Sequence, residues 1–404
     1  MKINVNTILQ WITAFLVYDI VMGQNSRGSF YRYIQLIEIF ILFIIIIPEI
    51  FNLFLQKKNI LFSCLMVIYM GAVYISSYIN KDTHNITNSY YSSLVYIVFF
   101  AELFLATNYL FRNRESMITS VQALLIISLI YCVVNDASLL FHYSSSIRNK
   151  AFLLGNKFNV SYAHIQMYAF YYWFNNIRKK NNIYFSLFLI IYSILIMNIV
   201  DCTTGIVGLI IFLLIIHIVP IKKIKVSVLW FSSICYSTLF AFYYVVILNY
   251  RFIQNIIVGV LGKQLTLTGR TAIYENIPLV LRNHILFGYG YGSDYEVWKN
   301  FMGMPNSQNG VIECIVEQGV ISTGLLIILI AVVMKKSNHF FEVNIGIRVL
   351  SSIVIMYTLL ASIEITMSLK YILFVFLLNA YTELCCIDEG DKFVENNTKN
   401  FKYD

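Results

Sequence analysis

Charge is scarce in this chain. Only 12% of its 404 residues are Asp, Glu, Lys or Arg, about half the ~25% of an ordinary soluble domain. A soluble protein this poor in charge could not cover its own surface. Strand-type alternation is missing too, which argues against a β-barrel. The seven cysteines form no CxxC pair and no Cys/His cluster, so they read as small buried hydrophobes. The basic residues make no continuous stripe despite a net charge of +8, which speaks against nucleic acid as a partner. No internal repeat is visible, which weakens an inverted-repeat transporter. The first apolar segment lacks a small-residue cleavage site and is expected to be a retained span.

What is abundant is apolar sequence. Hydrophobic residues make up 59% of the chain, and its mean hydropathy is +0.71. They come in blocks near the ~20 residues that cross hydrocarbon. Twelve candidate spans follow: 5–22, 34–55, 60–79, 91–111, 117–140, 160–177, 183–200, 204–220, 226–248, 309–334, 345–367 and 370–386. The expected fold is all-α, a polytopic integral membrane protein. Orientation comes from alternate links. One set carries Lys57 and Lys58, Arg112 and Arg114, Arg178 to Lys180, Lys222, Lys223 and Lys225, then Lys335 and Lys336. The positive-inside rule puts these in the cytoplasm, with both termini. The chain then divides into nine spans over 1–248, an external segment at 249–308, three spans over 309–386 and a cytoplasmic tail at 387–404.

The external segment is far longer than a usual link. It holds Arg251, Lys263, Arg270, Arg282 and Lys299. Within it the stretch Ala272 to Leu286 is amphipathic and reads as a helix on the membrane surface or over a cavity. Arg270 lies just before it, and Thr268 or Thr271 is placed to cap it. An arginine fork beside a helix N-terminus suits a phosphate or pyrophosphate. Arg251, Arg282 and, from another outer loop, Arg148 are further candidates for that anion. Gly288-Tyr289-Gly290-Tyr291-Gly292 allows tight turns and close approach of a sugar. It follows no Rossmann strand, so a dinucleotide is not expected. His284 is a candidate general base, with Glu275, Asp294 and Glu313 as rivals. Glu313 and Glu317 share a helical face. Acids inside the spans, Glu364 among them, receive no role. His164 reads as a core histidine.

In order along the chain, Thr268-Gly269-Arg270, His284 to Gly290, Asn306 to Glu313, and Glu317 to Gly319 resemble the signature region of the O-antigen ligase and polymerase superfamily. Gly155-Asn156 with Asn159, and Thr203 to Gly205, are similar to upstream features of that superfamily. The resemblance implies an integral membrane glycosyltransferase in a bacterial inner membrane. Its donor would be a glycan on undecaprenyl pyrophosphate at the outer face, and it would need no cofactor and no metal. Arg270 would grip the leaving pyrophosphate and His284 or Glu313 would act in catalysis. Gly290, Gln308 and Asn309 would line the substrate. A flippase and a chain-length regulator are the implied partners. The ligases carry a histidine where this chain has Gln308, and an arginine in the outer turn where it has Thr203 and Thr204. Both departures favour a repeat-unit polymerase over a ligase. A flippase for the lipid-linked unit is the rival from another class.

Overall fold

The computed structural model describes residues 5–23, 29–55, 60–82, 89–141, 152–180, 182–221, 223–248, 250–255, 258–259 and 270–400. Arg148, Lys263 and Thr268, with Lys57, Lys58 and Lys222, lie outside the described residues. Every named element among the described residues is an α-helix. The twelve apolar segments each contain one. They are α1 (Val5–Gly23), α2 (Ser29–Leu55), α3 (Ile60–Ile79), α4 (Ser89–Leu110), α5 (Arg114–Phe141), α6 (Lys157–Ile177), α7 (Ile183–Ile199), α8 (Thr203–Ile221) and α9 (Val226–Leu248). The external segment follows with α10 (Arg251–Asn255), α11 (Arg270–Leu281) and α12 (Asp294–Met302). The last three apolar segments form α13 (Gly310–Ser337), α14 (Ile345–Leu360) and α15 (Leu369–Asn400).

Eight helices are long and apolar enough to cross a membrane: α1, α3, α4, α5, α8, α9, α13 and α15. The distribution of side chains fits the same solvent. Phe40, Leu61 and Phe188 are exposed, while Ser77, Thr107, Ser128 and Ser351 are buried. That inverts the usual order in water, and it is how helices pack when lipid is as apolar as leucine. The chain is an all-helical, multi-pass membrane protein.

Asparagine starts four of the helices. Asn156, Asn182, Asn309 and Asn344 each accept a backbone N–H of the first turn, which satisfies donors that hydrocarbon cannot. Helix α13 packs against α3 and α9, and α14 packs against α9 and α15. A polar knot ties α5, α6 and α7. His164 Nε2 lies 3.0 Å from Asp136 Oδ2 and its Nδ1 lies 2.8 Å from the Val160 carbonyl. Tyr192 donates to the same carboxylate. His164 is thus a bonded core histidine, as its sequence context implied.

Two boundaries differ from expectation. The segment expected to span 345–367 ends as a helix at Leu360, and 361–368 is a series of turns. Glu364 therefore sits in a link rather than in a span. The amphipathic stretch forms a helix only as far as Leu281. Links after α3, α5, α7, α9 and α14 meet at one end of the bundle. Asn80 bonds Gly288, Lys157 bonds Asp201, and Asn309 bonds Ser362.

Candidate functional site

The glycine-rich stretch is packed into the protein, not open to a ligand. Helix α13 breaks at Gly319, whose φ is 76° and ψ 172°. The break frees backbone groups in the middle of the helix, and the external segment bonds them. Tyr289 N donates to Val316 O and Gly290 N to Glu317 O, both at 2.8 Å. Val320 N in turn donates to Ile285 O at 2.9 Å. From the other side Asn80 Nδ2 donates to Gly288 O at 3.1 Å, and Ser76 donates to Phe287 O. A Cβ at Gly288 would lie 2.6 Å from Gly319 N, and one at Gly290 would lie 2.3 Å from Ser89 Oγ. Gly290 was expected to admit substrate. Instead it packs against the Ser89 side chain of α4, and its φ of 99° is one that glycine adopts freely.

His284 belongs to the same clasp. Its Nδ1 lies 3.1 Å from Gly288 O, and its ring stacks on Tyr289 with centroids 3.8 Å apart. From Arg270 to Leu281 helix α11 rises about 16 Å, and His284 lies beyond its far end. The structure does not bring this histidine to Arg270. Glu313 was also expected to be catalytic. It is buried, and its Oε2 accepts Trp298 Nε1 at 3.0 Å and Ser307 N at 2.9 Å. That pins α12 and the end of the external segment to α13, a structural task. Asn309 is fully buried, because its Oδ1 caps α13 at Val311 and Ile312 and its Nδ2 donates to Ser237 O and Ser362 O. It is a joint, not a substrate contact. Arg251 and Arg282 are exposed.

Arg270 stands in a different setting. It opens α11, and its Nη2 donates to Ile363 O at 2.8 Å. Its Nε is buried with no partner among the described residues. One turn later, Tyr274 OH donates to Ser362 O and to Gln308 O, both at 3.2 Å. Gly310 N donates to Ala361 O at 2.7 Å. Gln308 takes a left-handed φ of 56° to turn the chain into α13. The turn at 361–364 is thus held by α11 of the external segment and by the start of α13.

That turn presents Glu364 to a cavity of about 220 Å³. Asn156, Asn159 and Tyr162 of the α6 end, Asn306 of the external segment, Tyr357 of α14 and Lys370 of α15 also line it. Lys370 donates to Asn159 Oδ1. Asn159 Nδ2 and Tyr162 OH are buried and have no partner among the described residues. Burial pushes the Glu364 carboxyl up to about 7, against the Ile365 N–H and the charges of Arg270 and Lys157, which pull it down. Burial likewise raises the Tyr274 phenol. The result is a small polar chamber with one carboxyl near neutrality, a lysine, two donors unpartnered among the described residues, and an arginine bonded to the turn that carries the carboxyl.

Sequence reasoning found Arg270 and missed Glu364 and Lys370. The available signal was two charges six positions apart at the link between the last two apolar segments. Among the described residues no three His, Cys, Asp or Glu side chains gather to hold a metal ion. No protein-family model, curated protein or solved structure matches the chain.

Proposed function

We propose that this chain is an integral membrane glycosyltransferase that polymerises oligosaccharide repeat units carried on undecaprenyl pyrophosphate. It works at the outer face of a bacterial inner membrane and builds O-antigen or capsular polysaccharide. In this reading the twelve apolar helices all cross the bilayer and both termini lie in the cytoplasm. The end where Arg270, Glu364 and the cavity meet then faces outward, where a flipped lipid-linked donor presents its pyrophosphate. A flippase supplies that donor, and a chain-length regulator is the second expected partner.

The observation that carries the reading is the placement of Arg270. A guanidinium whose buried Nε–H has no partner among the described residues sits at the N-terminus of a surface helix, beside a polar chamber. Fixed positive charge of this kind stabilises a departing pyrophosphate in the transition state. In this topology α11 follows the ninth crossing, which would put that charge near the lipid headgroups, where the carrier's phosphates lie.

Deleting the gene and running the surface glycan on a gel tests the proposal. A single repeat unit still attached to its anchor is the expected result. Loss of all attached glycan with lipid-linked polymer accumulating would identify a ligase instead. Lipid-linked single units trapped on the cytoplasmic side would identify a flippase, and an unchanged glycan would remove the proposal altogether.

A further inference from the structure

Glycosyl transfer to a sugar hydroxyl needs a group to take the hydroxyl proton, and neither His284 nor Glu313 supplies one at Arg270. His284 lies past the far end of α11, and Glu313 is buried under Trp298 and Ser307. We infer that Glu364 is the general base of the proposed transfer, and that the 220 Å³ chamber beside it seats the ring of the acceptor sugar. This inference rests on the polymerase reading and deepens it.

Three features of the geometry support it. The chamber is smaller than the ~300–1,000 Å³ of pockets for drug-sized ligands and suits one sugar ring. Its walls offer donors with no partner among the described residues, Asn159 Nδ2 and Tyr162 OH. Buried donors left open in this way match the hydroxyl and ring oxygens of a sugar, since an unmet polar group inside a protein is costly. The turn bearing Glu364 is fixed by Arg270, Tyr274, Asn309 and Gly310 through the carbonyls of 361–363. One turn therefore joins the base to the arginine, which keeps the attacking oxygen and the leaving pyrophosphate in one register.

The step balances simply. The acceptor hydroxyl oxygen bonds to the anomeric carbon of the donor glycan. The bond from that carbon to the pyrophosphate oxygen breaks, and its electron pair leaves with undecaprenyl pyrophosphate beside Arg270. The hydroxyl proton passes to a carboxylate oxygen of Glu364 and from there to water. Burial holds the carboxyl near 7, so the base form gains as pH rises through neutrality.

Other groups face the same carboxyl. Arg270 and Lys157 bear on it from α11 and α6, and Cys202, Tyr162 and Tyr274 feel its charge. Lys370 shares the chamber from α15. Burial raises the Cys202 thiol and the Tyr274 phenol, which moves both away from neutrality. Lys370 needs its own control.

The test uses membranes of the native host in which the gene is deleted and the full chain, wild type or variant, is restored. The probe is the lipid extract of the deletion strain, which holds the unpolymerised lipid-linked units. Wild-type membranes should elongate that extract, with a rate that rises with pH across neutrality. Glu364→Gln should lower the rate about 10²–10⁴-fold and flatten the profile at an unchanged protein level. Glu364→Asp should keep a rising profile at a lower rate, and serves if the glutamine variant fails to accumulate. Lys370→Arg, which cannot lose its proton, should leave the midpoint in place.

A Glu364→Gln protein that elongates the extract with the wild-type pH profile would overturn the assignment. A midpoint that disappears in Lys370→Arg would overturn it as well. If wild-type membranes do not elongate the extract at all, it is the polymerase reading that fails, not the choice of base.

Discussion

Around Gly288–Gly290 the external segment and the broken helix α13 exchange backbone hydrogen bonds until no space is left, with Cβ positions blocked at 2.6 Å and 2.3 Å. Around the turn at 361–364 the same segment is just as tightly bonded, yet Arg270 Nε, Asn159 Nδ2 and Tyr162 OH stay buried without a partner among the described residues. The first region uses its backbone polar groups to close a gap in a helix, and only Ser89 Oγ beside Gly290 is left without a partner among the described residues there. The second holds them open beside a cavity. Glycine repetition marks backbone proximity, and proximity can serve packing as readily as a ligand. Several unused buried polar groups gathered at one cavity are the better guide to a site, because each of them is costly to leave unmet.

The contrast can be tested by mutation. Gly319→Ala should have the largest effect. Its Cβ would fall 2.1 Å from Leu286 O in a backbone region that is essentially glycine-only. We expect little folded protein in detergent extracts by size-exclusion chromatography. Abundant, monodisperse protein would mean the clasp is looser than drawn. Arg270→Lys comes next and should act on output alone. The charge remains and the fork is lost, so polymer should fall by about 10²-fold while the protein level on a blot holds. Normal chain lengths on a gel would remove Arg270 from the site.

Asn309→Ala lies between the two regions. It removes a helix cap and two buried donor contacts, at a cost of about 2 kcal/mol. A lower melting temperature should accompany a partial loss of polymer. His284→Gln should do least. It removes one contact to Gly288 O and a ring stacked on Tyr289, about 1 kcal/mol in all. Near-normal polymer is expected, and its abolition would return the histidine to the chemistry.

Much of the fold was legible in the sequence because lipid imposes a simple pattern. Apolar blocks gave helices with boundaries within a few residues at α3, α7 and α9. The error at 345–367 has a physical cause. Ile363, Ile365 and Met367 continue the apolar run, but the backbone there turns to receive Arg270, Tyr274 and Asn309. Those are contacts between residues 53 to 93 positions apart, which no local pattern encodes. Arg270 was legible because an arginine beside an amphipathic stretch is a local feature. Glu364 was not, since its value depends on a chamber assembled from α6, α14, α15 and the external segment.

The break at Gly319 also bears on how the protein is made. A helix leaving the insertion machinery can satisfy its own backbone only where it is continuous, and each bare amide in hydrocarbon costs several kcal/mol. The partners for the N–H groups of Val320 and Ile321 are the carbonyls of Ile285 and Leu286, which emerge earlier in synthesis. The external segment therefore has to arrive before α13 can rest in the bilayer. The order in which the two parts meet is thus set by the chain itself, since α13 depends on a segment made before it.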